Sequence, residues 1–248
     1  YSKMLIDVHA HLDDEAFDTD REEIILRAEQ NKFLTIINCG LNPESNRKTL
    51  ALAKQYKIIE PALGIYPSYA VTLSHSAIEE EIIFIQKKKM KAVSEVGLDA
   101  TYGEMKKQKE VFEKCIVIAE KKKVPLIIHS RKAEQEVIAL LQSYHAEKVV
   151  MHCFTGNKKQ MQQIEDNGWF FSIPPIIVRS RHFQFLVDKV ALSQLLTESD
   201  APYLSPYTNT RNEPSFIKET IKIIAERKNV DIAETEKIIF MNFKKLFK

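Results

Sequence analysis

Short runs of apolar, β-prone residues recur along the chain, and helical patterns fill the gaps between them. That alternation constrains the fold more than any other feature. Parallel strands can be joined only through crossovers of about a dozen residues or more, usually helices. Eight such runs can be placed, within 5–12 and at 34–38, 58–63, 92–96, 124–129, 148–152, 169–172 and 194–198. Pro61 weakens the third of them. Thr19 or Asp20 can cap a helix reaching Gln30, Pro43 opens one to about Lys57, and Ser76 caps one ending in Lys87-Lys88-Lys89. Further helices are expected over 105–123, 132–144, 157–167 (with Gly168 as a natural stop) and 181–189, and two more, 214–228 and 232–247, close the chain. Eight strands alternating with helices in 248 residues favour an α/β chain folded as a single (β/α)8 TIM barrel over an open doubly wound sheet. No repeat, low-complexity tract or Gly/Pro/Ser-rich linker divides the chain, so one domain spanning 1–248 is expected.

Bulk composition narrows the function classes. An apolar content of 44% suits a globular protein with a sizeable core. The formal net charge of +2 gives no polyanion-seeking field, so any contact with nucleic acid must come from local patches. Cys39, Cys115 and Cys153 form no pattern and read as reduced thiols, which points to a cytoplasmic protein. No apolar run is long enough to span a membrane, and the N-terminus lacks a signal-peptide profile. Met4 is a candidate native start, with Tyr1, Ser2 and Lys3 left from processing.

The chemistry collects where a barrel would put it, at the C-terminal ends of strands. His9 and His11 close the first apolar run, and residues i and i+2 of a strand share one face roughly 6–7 Å apart. Both imidazoles can therefore address one ion, although two solvent-facing histidines at a strand tip would look the same. Glu95 ends the fourth strand amid short apolar residues, where a carboxylate is costly to bury unless paired or metal-bound. His129 and His152 end the fifth and sixth strands; each alone would read as a satisfied core histidine. Asp200 follows the eighth, where a loop cap ahead of Pro202 is the bland alternative. Six candidate ligands at one rim are a far rarer coincidence than any one of them. Four histidines and two carboxylates suit two divalent ions, Zn²⁺, Mn²⁺ or Mg²⁺, with Zn²⁺ and Mn²⁺ fitting better than Ca²⁺ or a lone Mg²⁺. Cys153, next to His152, should point to the opposite strand face and is not counted as a ligand.

Taken together, Asp7-Val8-His9-Ala10-His11-Leu12, Gly64-Ile65-Tyr66-Pro67, Glu95-Val96-Gly97-Leu98-Asp99, His129-Ser130-Arg131, His152-Cys153-Phe154-Thr155-Gly156, Glu198-Ser199-Asp200-Ala201-Pro202 and Arg211-Asn212-Glu213-Pro214 resemble the TatD-type metal-dependent deoxyribonucleases, a family of amidohydrolase-like barrels. The resemblance runs nearly end to end. It implies that His9 and His11 bind one metal, Glu95 bridges two, His129 and His152 bind the second, and Asp200 completes the first site. It also implies hydrolysis of DNA phosphodiesters by a metal-activated water, often from the 3′ end. Asp200 would orient or deprotonate the water, and Glu198 would hold a ligand's imidazole from outside the shell. One position departs from the family, which usually has histidine where this chain has Tyr66. A phenol with a reference pKa near 10 stays a neutral donor at pH 7 and cannot offer a cationic imidazolium. Tyr66 can still hold a phosphate oxygen or protonate a leaving group.

Substrate contacts are expected from Arg131, Arg211 and Asn212, Arg211 through its bidentate fork, although Arg131 would equally serve in a rim salt bridge. Asn212-Glu213-Pro214 would equally start a helix. Phe154 and Tyr102 can stack on bases, though a core or lid role suits either. Lys87–Lys89 and Lys121–Lys123 read as solvated helix ends on the opposite face of the barrel. DNA is the expected partner, with no obligate protein partner and a monomeric state. Two alternatives stay open: a small-molecule hydrolase of amides, lactones or phosphoesters on the same metals, and a non-catalytic binding protein descended from an enzyme. A narrow pocket closed by Pro174-Pro175 and the 205–211 loop would favour the former, and an open groove would favour DNA.

Overall fold

The computed structural model describes residues 4–248; Tyr1, Ser2 and Lys3, read above as a remnant ahead of Met4, lie outside the described residues. Eight strands pair in parallel in chain order: β1 (Leu5–Ala10), β2 (Phe33–Cys39), β3 (Ile59–Leu63), β4 (Ala92–Gly97), β5 (Leu126–His129), β6 (Val149–His152), β7 (Phe170–Ile173) and β8 (Leu195–Thr197). The helices between and after them are α1 (Arg21–Gln30), α2 (Pro43–Gln55), α3 (Pro67–Thr72), α4 (His75–Lys87), α5 (Met105–Lys122), α6 (Glu134–Ser143), α7 (Lys158–Asp166), α8 (Arg181–Lys189), α9 (Ile217–Lys228) and α10 (Ile232–Leu246). This is the (β/α)8 TIM barrel that the alternation implies. The strands are buried almost throughout, as parallel strands covered on both faces must be. No helix among the described residues is long and apolar enough to cross a membrane.

Local chemistry explains where the helices begin. Asn42 accepts from the Ser45 N–H while Pro43 takes the first turn of α2, and Asn157 forms a capping box with Gln160 ahead of α7. Three starts differ from the sequence reading. Ser74, not Ser76, caps α4 through the Ala77 N–H at 3.2 Å. Asp20 stands at the start of α1 without capping it, because Arg211 holds its carboxylate. Residues 214–216 form a single 3-10 turn before α9, and Asn212 lies outside that cap. The short α3 has no counterpart in the sequence reading: six residues are too few to show a helical period, and Pro67 at the first turn supplies the fixed φ that starts it.

The seam between β1 and β8 is stitched mainly by groups just past the strand ends. The His11 N–H donates to the Ala201 carbonyl and the Asp200 N–H to the His9 carbonyl, both at 2.8 Å. Deeper in, the Thr197 hydroxyl donates to the Ile6 carbonyl at 2.7 Å. The buried Asp7 carboxylate accepts from the Ser199 hydroxyl at 2.6 Å and the Ser199 N–H at 2.9 Å. Thr197→Val keeps the shape and removes one stitch. It is expected to cost about 1 kcal/mol, the net worth of one buried hydrogen bond, read as a lower urea midpoint at unchanged slope; an unmoved midpoint would show that the seam does not depend on this bond.

Candidate metal centre

Strand geometry delivers the six candidate ligands to one rim. His9 lies one residue before the end of β1 and His11 one residue past it, and their Nε2 atoms stand 3.0 Å apart. Glu95, on β4, turns its two oxygens to different histidine pairs. Its Oε2 lies 3.3 Å from His9 Nε2 and 3.4 Å from His11 Nε2, whereas its Oε1 lies 3.0 Å from His129 Nδ1 and 3.8 Å from His152 Nε2. Asp200, just past β8, places Oδ1 3.5 Å from the Nε2 atoms of both His9 and His11. Asp200 itself has φ +54, a left-handed conformation that turns the chain sharply after β8.

Each imidazole but one is fixed at its outer nitrogen. His11 Nδ1 meets the Cys39 carbonyl at 2.9 Å, His152 Nδ1 meets Glu198 Oε2 at 2.7 Å, and His129 Nε2 meets Asp99 Oδ2 at 2.8 Å. His9 instead stacks on His152, with ring centroids 3.7 Å apart, and its buried Nδ1 has no hydrogen-bond partner. Glu198 also comes within reach of His9, but its oxygens are occupied by His152, the Cys153 N–H at 3.1 Å and the Ser172 hydroxyl. One backbone detail sets the spacing. Gly97 has φ +142, and a Cβ there would sit 1.9 Å from the His129 carbonyl oxygen, so only glycine lets β4 and β5 approach this closely.

The donor set fits divalent cations. With metal–ligand bonds of about 2.0–2.2 Å, neighbouring donors in a tetrahedral or octahedral shell lie about 3.0–3.5 Å apart; the His9–His11 nitrogens and their spacings to Glu95 and Asp200 fall in that range. Two triads, His9–His11–Glu95 and Glu95–His129–His152, could each hold an ion and share one carboxylate. The electrostatics show how hard these groups press on one another. Burial and the neighbouring His152 push His9 down to about 4. Burial works against charge on His152 too, but Glu198 outweighs it and lifts the group to about 9. Burial would raise Glu95, yet hydrogen bonds from His11, His129 and His9 hold it well below the usual carboxylate range.

A cavity of about 620 Å³ opens over the cluster, walled in part by Tyr66, Tyr102, Arg131, Cys153 and Tyr203. The Tyr66 hydroxyl lies 3.5 Å from His129 Nε2, and burial, with Glu95 nearby, raises its pKa so that the phenol stays protonated. Arg131 is the one arginine or lysine in that wall, and neither Pro174-Pro175 nor the 205–211 loop contributes to it. The structure does not bring Arg211 and Asn212 to the cavity. Arg211 lies over the Phe17 ring at 4.5 Å and pairs with Asp20 at 2.5 Å, while the Asn212 amide donates to the Ser199 and Tyr203 carbonyls at 2.6 and 2.5 Å. Asn212 thus braces the Asp200 loop, while Arg211 ties its own segment to the chain ahead of α1. Phe154 is buried against Phe171, whereas Tyr102 is 45% and Tyr203 54% exposed at the rim. Cys153 corrects the strand reading: β6 stops at His152, and φ +43 at Cys153 breaks the alternation and leaves the residue in the cavity wall.

Sequence reasoning missed Asp7 and Asp99. Asp7 sits two residues before His9, where its carboxylate also takes the His9 N–H at 3.1 Å. Asp99 closes the Glu95–Asp99 motif, and a carboxylate two residues past a strand-end glycine was the only available signal.

A barrel carrying paired histidine–carboxylate triads at its C-terminal rim has the architecture of a metal-dependent hydrolase. Comparison with known proteins narrows this. Residues 6–248 match the model of the family described as TatD related DNase, and the chain belongs to that family. It is 33% identical to an uncharacterized metal-dependent hydrolase, YabD, of Bacillus subtilis, over 99% of both chains. It is likewise 33% identical to the deoxyribonuclease TATDN3 of Homo sapiens, over 98% of this chain and 94% of that one. Among solved structures, YJJV, a TatD homologue from Escherichia coli, superposes with a TM-score of 0.90 at 25% identity, covering 99% of this chain and 98% of that one.

Gly97→Ala forces β4 off β5 where Glu95 and His129 meet. A loss of at least about 2–3 kcal/mol of stability is expected, from strain at positive φ plus overpacking, measured by denaturant unfolding; a variant as stable as wild type would mean that β5 yields without cost.

Proposed function

We propose that this chain, a single TIM-barrel hydrolase domain over residues 1–248, is a deoxyribonuclease that cleaves DNA phosphodiester bonds with two divalent ions. The observation that carries the reading is the division of the Glu95 carboxylate, one oxygen facing the His9–His11 pair and the other facing His129 and His152. His9, His11, Asp200 and Glu95 would hold the first ion, and Glu95, His129 and His152 the second. When bound, such a pair supplies Lewis acidity toward a phosphoryl oxygen and a water activated at neutral pH.

The chain's own groups supply the rest. Asp200, ionised because His11 and the other imidazoles outweigh its burial, stands at the mouth of the cluster as an oriented acceptor for the proton of the attacking water. Tyr66 offers a neutral O–H to a phosphate oxygen or to the departing oxygen, in place of the family's histidine. Arg131 supplies positive charge from the cavity wall toward the same phosphate. Glu198 acts on His152, fixing the ring so that Nε2 turns inward. The 3′-to-5′ direction rests on the family resemblance. Metal choice among Zn²⁺, Mn²⁺ and Mg²⁺ follows the nitrogen-rich donor set toward Zn²⁺ or Mn²⁺.

One observation favours a second reading, hydrolysis of a small phosphoester, amide or lactone: one arginine and no lysine in the cavity wall is little permanent charge for a polyanion. The absence of Pro174-Pro175 and the 205–211 loop from that wall favours DNA. End-labelled single- and double-stranded DNA incubated with Mg²⁺, Mn²⁺ or Zn²⁺ separates the two. Wild type should release nucleotides from the 3′ end, and Glu95→Ala should lower the rate by at least about 10²–10³-fold, as loss of a central electrostatic stabiliser does. Tyr66→His should shift the pH–rate profile, since an imidazole titrates near neutrality and the phenol does not. Fully metal-loaded wild type that cuts no form of DNA would sink the nuclease reading and turn attention to small esters and amides.

A further inference from the structure

His129 is gripped by the chain that leaves β4. Its carbonyl accepts the Leu98 N–H at 3.1 Å beside the bare Cα of Gly97, and its ring reaches Asp99. Asp99 is itself immobilised. Its Oδ1 accepts both the Thr101 N–H at 2.9 Å and the Thr101 hydroxyl at 2.5 Å, leaving Oδ2 for His129 Nε2 at 2.8 Å. Its backbone is clamped by the buried Gln108 of α5, which accepts the Asp99 N–H at 2.8 Å and donates to the Asp99 carbonyl at 2.9 Å. A neutral imidazole carries one N–H, and an ionised carboxylate can only accept. When Nδ1 is given to an ion the ring is neutral, and the proton of His129 then belongs on Nε2, facing Asp99, with the lone pair on Nδ1, on the side of Glu95.

We propose that Asp99 is a positioning residue that locks His129 in the Nε2–H tautomer, aiming the Nδ1 lone pair at the second ion and preventing His129 from taking the Tyr66 hydroxyl proton. This rests on the two-ion reading above. The Tyr66 consequence follows from geometry. Its oxygen lies 3.5 Å from His129 Nε2, and a nitrogen that already bears hydrogen cannot accept the phenol's proton. Without Asp99 the ring could take the other tautomer, in which Nε2 would accept from Tyr66 and Nδ1–H would face the site of the ion. One switch would then cost both a ligand and a substrate donor.

The Thr101 contacts make the test selective. In Asp99→Asn the two Thr101 donors keep the amide oxygen, so the NH₂ is presented to His129 Nε2 and imposes the wrong tautomer. Asp99→Ala imposes nothing. The near-isostere should therefore be more damaging than the truncation, the reverse of what a packing role requires. Titration of the metal-free protein with Co²⁺ or Zn²⁺, followed by calorimetry and by the cobalt visible spectrum, reads each ion separately. Asp99→Ala should weaken the second ion about 10–100-fold, the usual effect of losing an outer-shell partner. Asp99→Asn should weaken it further, with the first ion unchanged in both. Second-ion binding of wild-type strength in Asp99→Asn overturns the proposal, as does an alanine variant worse than the asparagine one. Because the readout is metal occupancy, wild type that binds two ions but cuts no DNA refutes the nuclease reading while the Asp99 comparison still decides this one; wild type that binds a single ion refutes both.

Discussion

Burying a carboxylate among imidazole lone pairs is the constraint on which the upper half of this barrel depends. Glu95 is 3% exposed, and His9, His11, His129 and His152 stand 3.0–3.8 Å from its oxygens. Such a group is costly to bury unless opposite charge or hydrogen bonds compensate. The imidazoles give part of that compensation and hold Glu95 down, while burial lowers His9 and Glu198 raises His152. The same base-rich cluster is what a pair of divalent cations requires.

Three different outer contacts solve one orientation problem. A backbone carbonyl holds His11, a glutamate from the next-but-one strand holds His152, and an aspartate from the loop after β4 holds His129. The nitrogen turned inward follows from the one held outside: Nε2 for His11 and His152, Nδ1 for His129. None of these partners lies beside its histidine in sequence. The barrel brings them together because neighbouring strands end at the same height.

That height also explains how much was legible beforehand. The alternation of runs identified the barrel, and a barrel's rule that chemistry gathers at strand C-termini picked out His9, His11, Glu95, His129, His152 and Asp200, which the structure gathers into one cluster. Partners reached through side chains were hidden: nothing local in Gln108 or Thr101 announces Asp99, and Asp7 looks like one more polar residue of a strand. Cys153 misled because a single left-handed residue cancels a period-two argument. Arg211 and Asn212 looked like substrate contacts because their residue types suit phosphate, but Asp20 and the carbonyls of 199 and 203 take those donors first.

The seam has a temporal meaning. His9 and His11 are made before the rest of the cluster, while Asp200 belongs to a segment made nearly two hundred residues later and hydrogen-bonded back to β1. A nascent chain halted before β8 carries the histidine pair but neither Asp200 nor the Glu198 that orients His152. Closing so long a loop is a slow step of folding. The cluster is thus completed only once β8 and the segment after it are in place, and a partial chain holds the histidine pair without the groups that complete it.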